Sequence, residues 1–209
     1  MKKYLGKLTL IILFISLTAP MAQAGPEAIG TITRIQTSAM VNGKQLLRGN
    51  AIHTHDVIAT DAGGRVEITF VDKTTLVVGG SSEFLIDAYS YDTDATLKKA
   101  AFKLTKGAFR MVTSALVDSA PENFTVTTPL ATIGIRGTDF WGGFLSADTL
   151  DVIMLEGKGV HITTRGGTVL IDTPGFGVTV PDPTQPPLPP KKWGQPKVAK
   201  ATATIEFKQ

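Results

Sequence analysis

Between Ala28 and Val180 the apolar residues alternate with polar ones in short runs, and no stretch sustains a 3.6-residue period. A period of two places alternate side chains on opposite faces of an extended chain. Val66, Ile68 and Phe70 share one face, as do Ala100, Phe102 and Leu104. The runs are broken by turn-forming residues: Asn42-Gly43, Asp61-Ala62-Gly63-Gly64, Asp72-Lys73, Gly79-Gly80, Gly107, Glu156-Gly157, Gly166-Gly167 and Pro174-Gly175. Asn-Gly between apolar pairs is a strong tight-hairpin signal. Leu97–Leu104 has the composition of a helical patch, but its β-branched and glycine-flanked neighbours favour a strand. Such punctuation predicts an all-β chain of many short, mostly antiparallel strands in packed sheets, either a sandwich or a short solenoid. Glycine spacings are too irregular to demonstrate a strict repeat.

Two ends of the chain fall outside this pattern. Lys2, Lys3 and Lys7 precede or adjoin the apolar run Leu8–Leu17, and Ala22-Gln23-Ala24 supplies a small-x-small cleavage pattern before Gly25. This is the grammar of a secretory signal peptide over residues 1–24. The run is shorter than the roughly 20 residues of a spanning helix, so no stable membrane insertion is expected after cleavage. At the other end, Pro181 to Pro190 holds six prolines in ten residues. That composition favours an extended segment and adds no strand to a core. Residues 25–180 are thus expected to form the β domain. Residues 181–209 are expected to form a linker and a docking or disordered tail, with a short terminal strand at Ala203-Ile205-Phe207.

Charge and cysteine content narrow the function classes. The chain has 21 basic and 18 acidic residues, but three of the lysines lie in the leader, leaving 18 of each sign. A neutral mature chain gives no support to nucleic-acid binding. The absence of cysteine removes disulfides, thiol catalysis and lipid-modified cysteine. No serine-hydrolase elbow, zinc-protease helix, phosphate loop or dinucleotide fingerprint occurs, so the chain reads as non-enzymatic, with no cofactor. His53 and His55 lie two apart, too few ligands for a metal site. Asp87, Asp92 and Asp94 lack the calcium-loop spacing, and no metal is expected.

The most distinctive stretch is residues 123–140, Asn-Phe-Thr-Val-Thr-Thr-Pro-Leu-Ala-Thr-Ile-Gly-Ile-Arg-Gly-Thr-Asp-Phe. Pro129 cannot donate to a ladder and forces Thr128 into extended geometry, so the strand through Phe124 and Val126 must end or bend there. Alternation then resumes, with Ala131, Ile133 and Ile135 on one face and Thr132, Gly134 and Arg136 on the other. Gly137 removes a Cβ beside Arg136, allowing a bulge or a close approach. Arg136 either reaches a partner carboxylate bidentately or ties down its own turn through Asp139. Phe140, Trp141 and Phe144 surround Gly142-Gly143 and serve as a core plug or, where exposed, a contact patch.

Thr128-Pro129 followed by Arg136-Gly137-Thr138-x-Phe140 resembles the FecR domain, a periplasmic module of bacterial cell-surface signalling. Other matching points, in order, are Gly30, the Leu-x-x-Gly turn ending at Gly49, Asp56-x-Ile58-x-Thr60, Gly64-Arg65-Val66, the acidic turn at Asp72, Gly107 and Glu156-Gly157. The resemblance covers about 150 residues. Lys73 stands where many members show glycine, and the cytoplasmic sigma-factor-binding segment of the namesake regulator is not seen ahead of the domain. The resemblance implies a periplasmic, or secreted, binding and regulatory module. Its partner would be an envelope or periplasmic protein, met through Arg136, Gly137, Thr138, Phe140, Trp141 and Phe144. The alternative is an envelope polysaccharide or peptidoglycan binder that uses Trp141, Trp193, Tyr89 or Tyr91 to stack on sugars. Amino-terminal sequencing of the exported protein is expected to begin at Gly25; a product beginning at Met1 overturns the leader assignment.

Overall fold

The computed structural model of the chain describes residues 27–91, 97–114 and 123–208. The leader, Asp92 and Asp94 lie outside them. The first strands are short, as turn signals packed this densely require: β1 (Gly30–Gln36), β2 (Ala39–Val41), β3 (Lys44–Gln45), β4 (Ala51–Ile52) and β5 (Val57–Thr60). Asn42 and Gly43 link β2 to β3 with φ of 50° and 76°, a type I′ turn. The Asn42 amide then donates to Asp56 Oδ1 at 2.7 Å and its carbonyl accepts from the Val57 N–H at 2.9 Å.

Longer alternating runs follow: β6 (Arg65–Phe70), β7 (Thr75–Val78), β8 (Glu83–Tyr91), β9 (Leu97–Lys106), β10 (Ala108–Val112) and β11 (Phe124–Thr127). The chain continues through two long strands, β12 (Thr132–Ser146) and β13 (Thr149–Thr164), then β14 (Gly167–Ile171), β15 (Phe176–Val180) and β16 (Lys191–Lys192). One helix, α1 (Gln195–Ile205), closes the described chain.

Among the described residues these sixteen strands form one sheet, in the order β3-β2-β5-β8-β9-β11-β12-β10-β7-β6-β1-β4. β13 branches from β12 and carries β14 and β15. All pairs are antiparallel except β9 with β11. The two ends of this path, β3 and β4, are neighbours in sequence. The short link between them spans at most about 20 Å, so the sheet must curl until its first and last strands approach each other. The curl encloses a single apolar core.

Side-chain alternation fills that core as the sequence predicts. Ile133 and Ile135 point inward while Arg136 is exposed, and Leu97–Lys106 is strand rather than helix. Phe70, Phe84, Phe102, Phe109, Phe124 and Phe140 form a connected chain of rings with neighbouring centroids 5.4–5.8 Å apart. Burying each ring is worth about 1.5–3 kcal/mol. β1 departs from strict alternation. Its register shifts between Ile32 and Arg34, a bulge that lets Ile32 be buried while Ile35 packs against the same core.

A buried carboxylate anchors one end of the sheet. Asp72 is 8% exposed and, among the described residues, makes no ion pair. Its Oδ1 accepts from the Thr74 N–H at 2.9 Å and the Tyr89 hydroxyl at 2.8 Å. Its Oδ2 accepts from Thr74 Oγ1 at 2.7 Å and Ser114 Oγ at 2.8 Å. Tyr91 donates in turn to Tyr89 at 3.0 Å. Burial pushes the carboxyl up, but the donors of Thr74, the tyrosine pair and Ser114 outweigh it and hold Asp72 below the ordinary carboxylate range. Burial, with the nearby carboxylate, pushes both tyrosines upward.

The Asp72 carboxylate therefore contributes stability above the unfolded-state value of about 3.9, and that contribution is lost as pH falls through its lower folded value. Asp72→Asn is expected to cost about 1–3 kcal/mol near neutral pH, and its urea midpoint should fall less than wild type's on acidification to about pH 3. Parallel acid dependence in the two proteins overturns this role.

Candidate interaction surface

β12 and β13 form a spine, β12 carries all six residues nominated for a protein partner, and the spine bends where two glycines meet. Gly137 has φ 51° and Gly157 φ 117°, and the two lie side by side in the ladder, since Arg136 pairs with Gly159 and Thr138 with Gly157. A Cβ on Gly157 would collide with the Gly137 carbonyl oxygen. Gly157 therefore admits only glycine, and the left-handed φ of Gly137 is one that glycine adopts most readily. Thr138 locks the bend from inside. Its hydroxyl lies 2.8 Å from the Arg136 carbonyl and 2.9 Å from that of Gly159, while its N–H donates to Thr113 Oγ1 at 2.9 Å.

The bend divides the outer face of the sheet. On one half, Trp141, Leu145, Ile153 and Leu155 project outward beside Val77 and Ala108. The carboxy-terminal segment covers them. Trp193 packs edge-on to Trp141, with centroids 6.1 Å apart. α1 starts with proline in its first turn, where a missing N–H costs nothing. Ala201 and Ile205 are four residues apart, so the helix buries both on one face. That spacing explains why the strand expected at Ala203-Ile205-Phe207 is instead the end of a helix.

Polar contacts stitch the segment down. Trp141 Nε1 donates to Thr204 Oγ1 at 2.9 Å, and Arg65 Nη2 donates to the Ala203 carbonyl at 3.1 Å. Lys197 Nζ meets Asp151 Oδ1 at 2.5 Å and lies 4.2 Å from the centre of the Trp193 ring. Thr179 Oγ1 also donates to Asp151. Further along, the Arg34 guanidinium sits 4.0 Å over the Phe207 ring.

The six nominated residues divide accordingly. Thr138, Phe140 and Trp141 are 3%, 0% and 2% exposed, and Gly137 forms the bend. Phe140 packs edge-to-face on Phe109 within the core, and Trp141 lies beneath α1. Arg136 is exposed and Phe144 half-buried. Asp139 is not Arg136's partner, because Arg110 grips it with Nε at 2.9 Å and Nη2 at 2.6 Å. That bond raises the Arg110 pKa further. The rings nominated for sugar stacking are committed elsewhere: Trp141, Trp193 and Tyr89 are buried, and Tyr91 is tied to Tyr89. His53 lies 3.7 Å from the Asp56 carboxylate. Among the described residues no cluster of three potential metal ligands forms.

Sequence reasoning missed an open groove of about 710 Å³ beside Phe144. Its walls include Thr105, Lys106, Pro129, Leu130, Phe144 and Asp148. Four turns distant in sequence converge here: the β7–β8 turn at Gly80-Ser81, the β9–β10 hairpin, the β12–β13 hairpin and the Pro129 turn. Thr128 shapes the last of these, its hydroxyl accepting from the Leu130 and Ala131 N–H groups at 3.2 and 3.0 Å. The Thr128-Pro129 pair was the available signal, but no local pattern places it opposite Phe144.

Residues 56–158 match the family model described as FecR protein. No curated protein matches the chain by sequence. Two crystal structures of a proposed anti-sigma factor from Parabacteroides distasonis ATCC 8503, at 2.50 and 1.65 Å resolution, share this fold. Each has a TM-score of 0.52 at 17% identity, over 68% of this chain. The similarity spans 62% of that protein's chain.

Trp141→Ala is expected to cost about 3–5 kcal/mol in urea unfolding, the usual loss for a buried large ring. A chain ending at Val180 should lose stability and self-associate on gel filtration, because it bares Trp141, Ile153 and Leu155. A truncated chain as stable and monomeric as the full one overturns the packing role assigned to α1.

Proposed function

We propose that the chain, whose residues 56–158 match the FecR family model, is an exported, non-catalytic binding module that regulates signalling in the cell envelope through a protein partner. The leader pattern at residues 1–24 supports export to the periplasm. The observation that carries the binding role is the groove beside Phe144, an open apolar-walled cleft formed where turns converge rather than an enclosed chamber of converging polar groups. Partner surfaces favour an apolar centre with a polar rim. Phe144, Leu130 and Pro129 supply the former, and Lys106 and Asp148 add charge of both signs.

The nominated residues take two roles in this reading. Arg136 and Phe144 touch the partner. Gly137, Thr138, Phe140 and Trp141 position them from within, since the bend and the buried rings set where the outer residues stand. Arg136 makes no ion pair among the described residues, so its planar donor head is available to a carboxylate. The solved anti-sigma factor supports a regulatory role by its fold.

A photo-reactive residue placed at Phe144 or Leu130 in the exported protein is expected to form one defined adduct with an envelope protein, and one placed at Met40 or Leu47 is not. Identical adducts at all four positions, or none at Phe144, overturn the groove as the partner site.

A further inference from the structure

Beyond the bend, on the half of the outer face that α1 leaves uncovered, the strands carry an ordered polar surface. Register places Lys103, Thr127, Thr132, Thr163 and Thr168 side by side across β9, β11, β12, β13 and β14. The adjacent row holds Ala101, Thr125, Gly134, His161 and Leu170. One further step along the strands stand Lys99 on β9 and Arg136 on β12. Neighbouring strands are about 4.8 Å apart and successive same-face residues about 6.6 Å apart, so hydroxyls and cations form a lattice of that spacing. The Thr163 and Thr168 hydroxyls already bond across the strands at 2.9 Å.

Three features of this surface select a ligand class. Lys99, Lys103 and Arg136 make no ion pair among the described residues, and the rows contain no carboxylate. The closest acids are Asp172, one residue past β14 and level with the Arg136 step, Asp87 on β8 and Glu156 past the bend, so the three cations still outnumber the carboxylate beside them. With the mature chain neutral overall, this is a local positive field rather than a share of a general one. The threonine hydroxyls both donate and accept. The rows contain no Phe, Tyr or Trp ring, and Leu170 is their one exposed large apolar side chain.

We propose that this face binds an acidic polysaccharide, a polymer whose sugar rings carry carboxylates among many hydroxyls. The hydroxyl rows pair with ring hydroxyls, and Lys99, Lys103 and Arg136 take the carboxylates through charge-assisted bonds. A neutral glycan would need a ring to stack on. An acidic peptide would need a desolvated apolar or aromatic anchor, which Leu170 alone does not supply. This inference does not rest on the protein-partner reading and uses a different surface, with Arg136 at their border.

Affinity electrophoresis of the full exported protein through gels containing alginate, dextran or poly-glutamate tests it. Retardation by alginate alone, weakening as salt screens the charges, is expected. Lys99→Glu with Lys103→Glu should weaken it about tenfold or more, the loss of at least one charge-assisted bond. Thr163→Val, which keeps the strand shape, should weaken it several-fold while leaving the urea midpoint nearly unchanged. Equal retardation by dextran, equal or stronger retardation by poly-glutamate, or none by alginate overturns the proposal. The Lys99/Lys103 variant should still give the Phe144 adduct, so failure of either reading shows separately.

Discussion

The close approach of Gly137 and Gly157 in the β12–β13 ladder governs the rest of the molecule. Two strands of fifteen and sixteen residues would otherwise run as one twisted ribbon. Where both backbones take positive φ, the ribbon turns and its pairing shifts between Asp139 and Phe140. On one side of the turn the spine pairs with β10 and β15 and offers Trp141 and Ile153 outward. On the other it pairs with β11 and β14 and offers Thr132 and His161. One sheet thus acquires an apolar outer half and a polar outer half without any change in the core beneath.

The apolar half needs a cover, and the cover needs polar anchors because backbone and charges are buried with it. Asp151 is 4% exposed, and without Lys197 and Thr179 it would be a buried charge without compensation. Among the described residues Asp72 solves the same problem at another place with neutral donors. In both cases the buried carboxylate gathers segments distant in sequence: Ser114 and Tyr89 around Asp72, Lys197 and Thr179 around Asp151. Such sites stabilise little when complete and destabilise strongly when broken. They therefore specify which segments meet more than they add net stability.

Much of the fold was legible in the sequence because its signals are local. Asn42-Gly43 demands φ > 0 and forms the turn it predicts. Pro129 ends β11 because it lacks a donor, and alternation through Ile133 and Ile135 points both into the core. Lys73 adopts φ 73°, a left-handed position that glycine takes more readily, so the departure from the family pattern falls at a turn that favours glycine. The bulge in β1 was not legible, since an inserted residue leaves no compositional mark. Nor was the helix, because Ala, Thr and Ile at alternating and at fourfold spacing coincide over Ala201–Ile205. Of the nominated surface, Arg136 reaches solvent, Gly137 and Phe144 do so in part, and Thr138, Phe140 and Trp141 do not. A bulky ring beside paired glycines reads the same whether it plugs a core or faces a partner.

By itself the sequence determined the class of structure and its punctuation: short alternating strands, turns at glycine, asparagine and proline, a thiol-free apolar core, and the family signature from Thr128 to Phe140. These follow from backbone sterics and the two-residue period, which act over a few residues. The tertiary structure alone decided that the last segment seals Trp141, that Arg110 rather than Arg136 takes Asp139, that four turns enclose the groove beside Phe144, and that lysines and threonines from five strands form one surface. Each of these depends on cross-strand register. Register is set by summing many weak packing preferences across the whole sheet, and no short window of residues contains that sum.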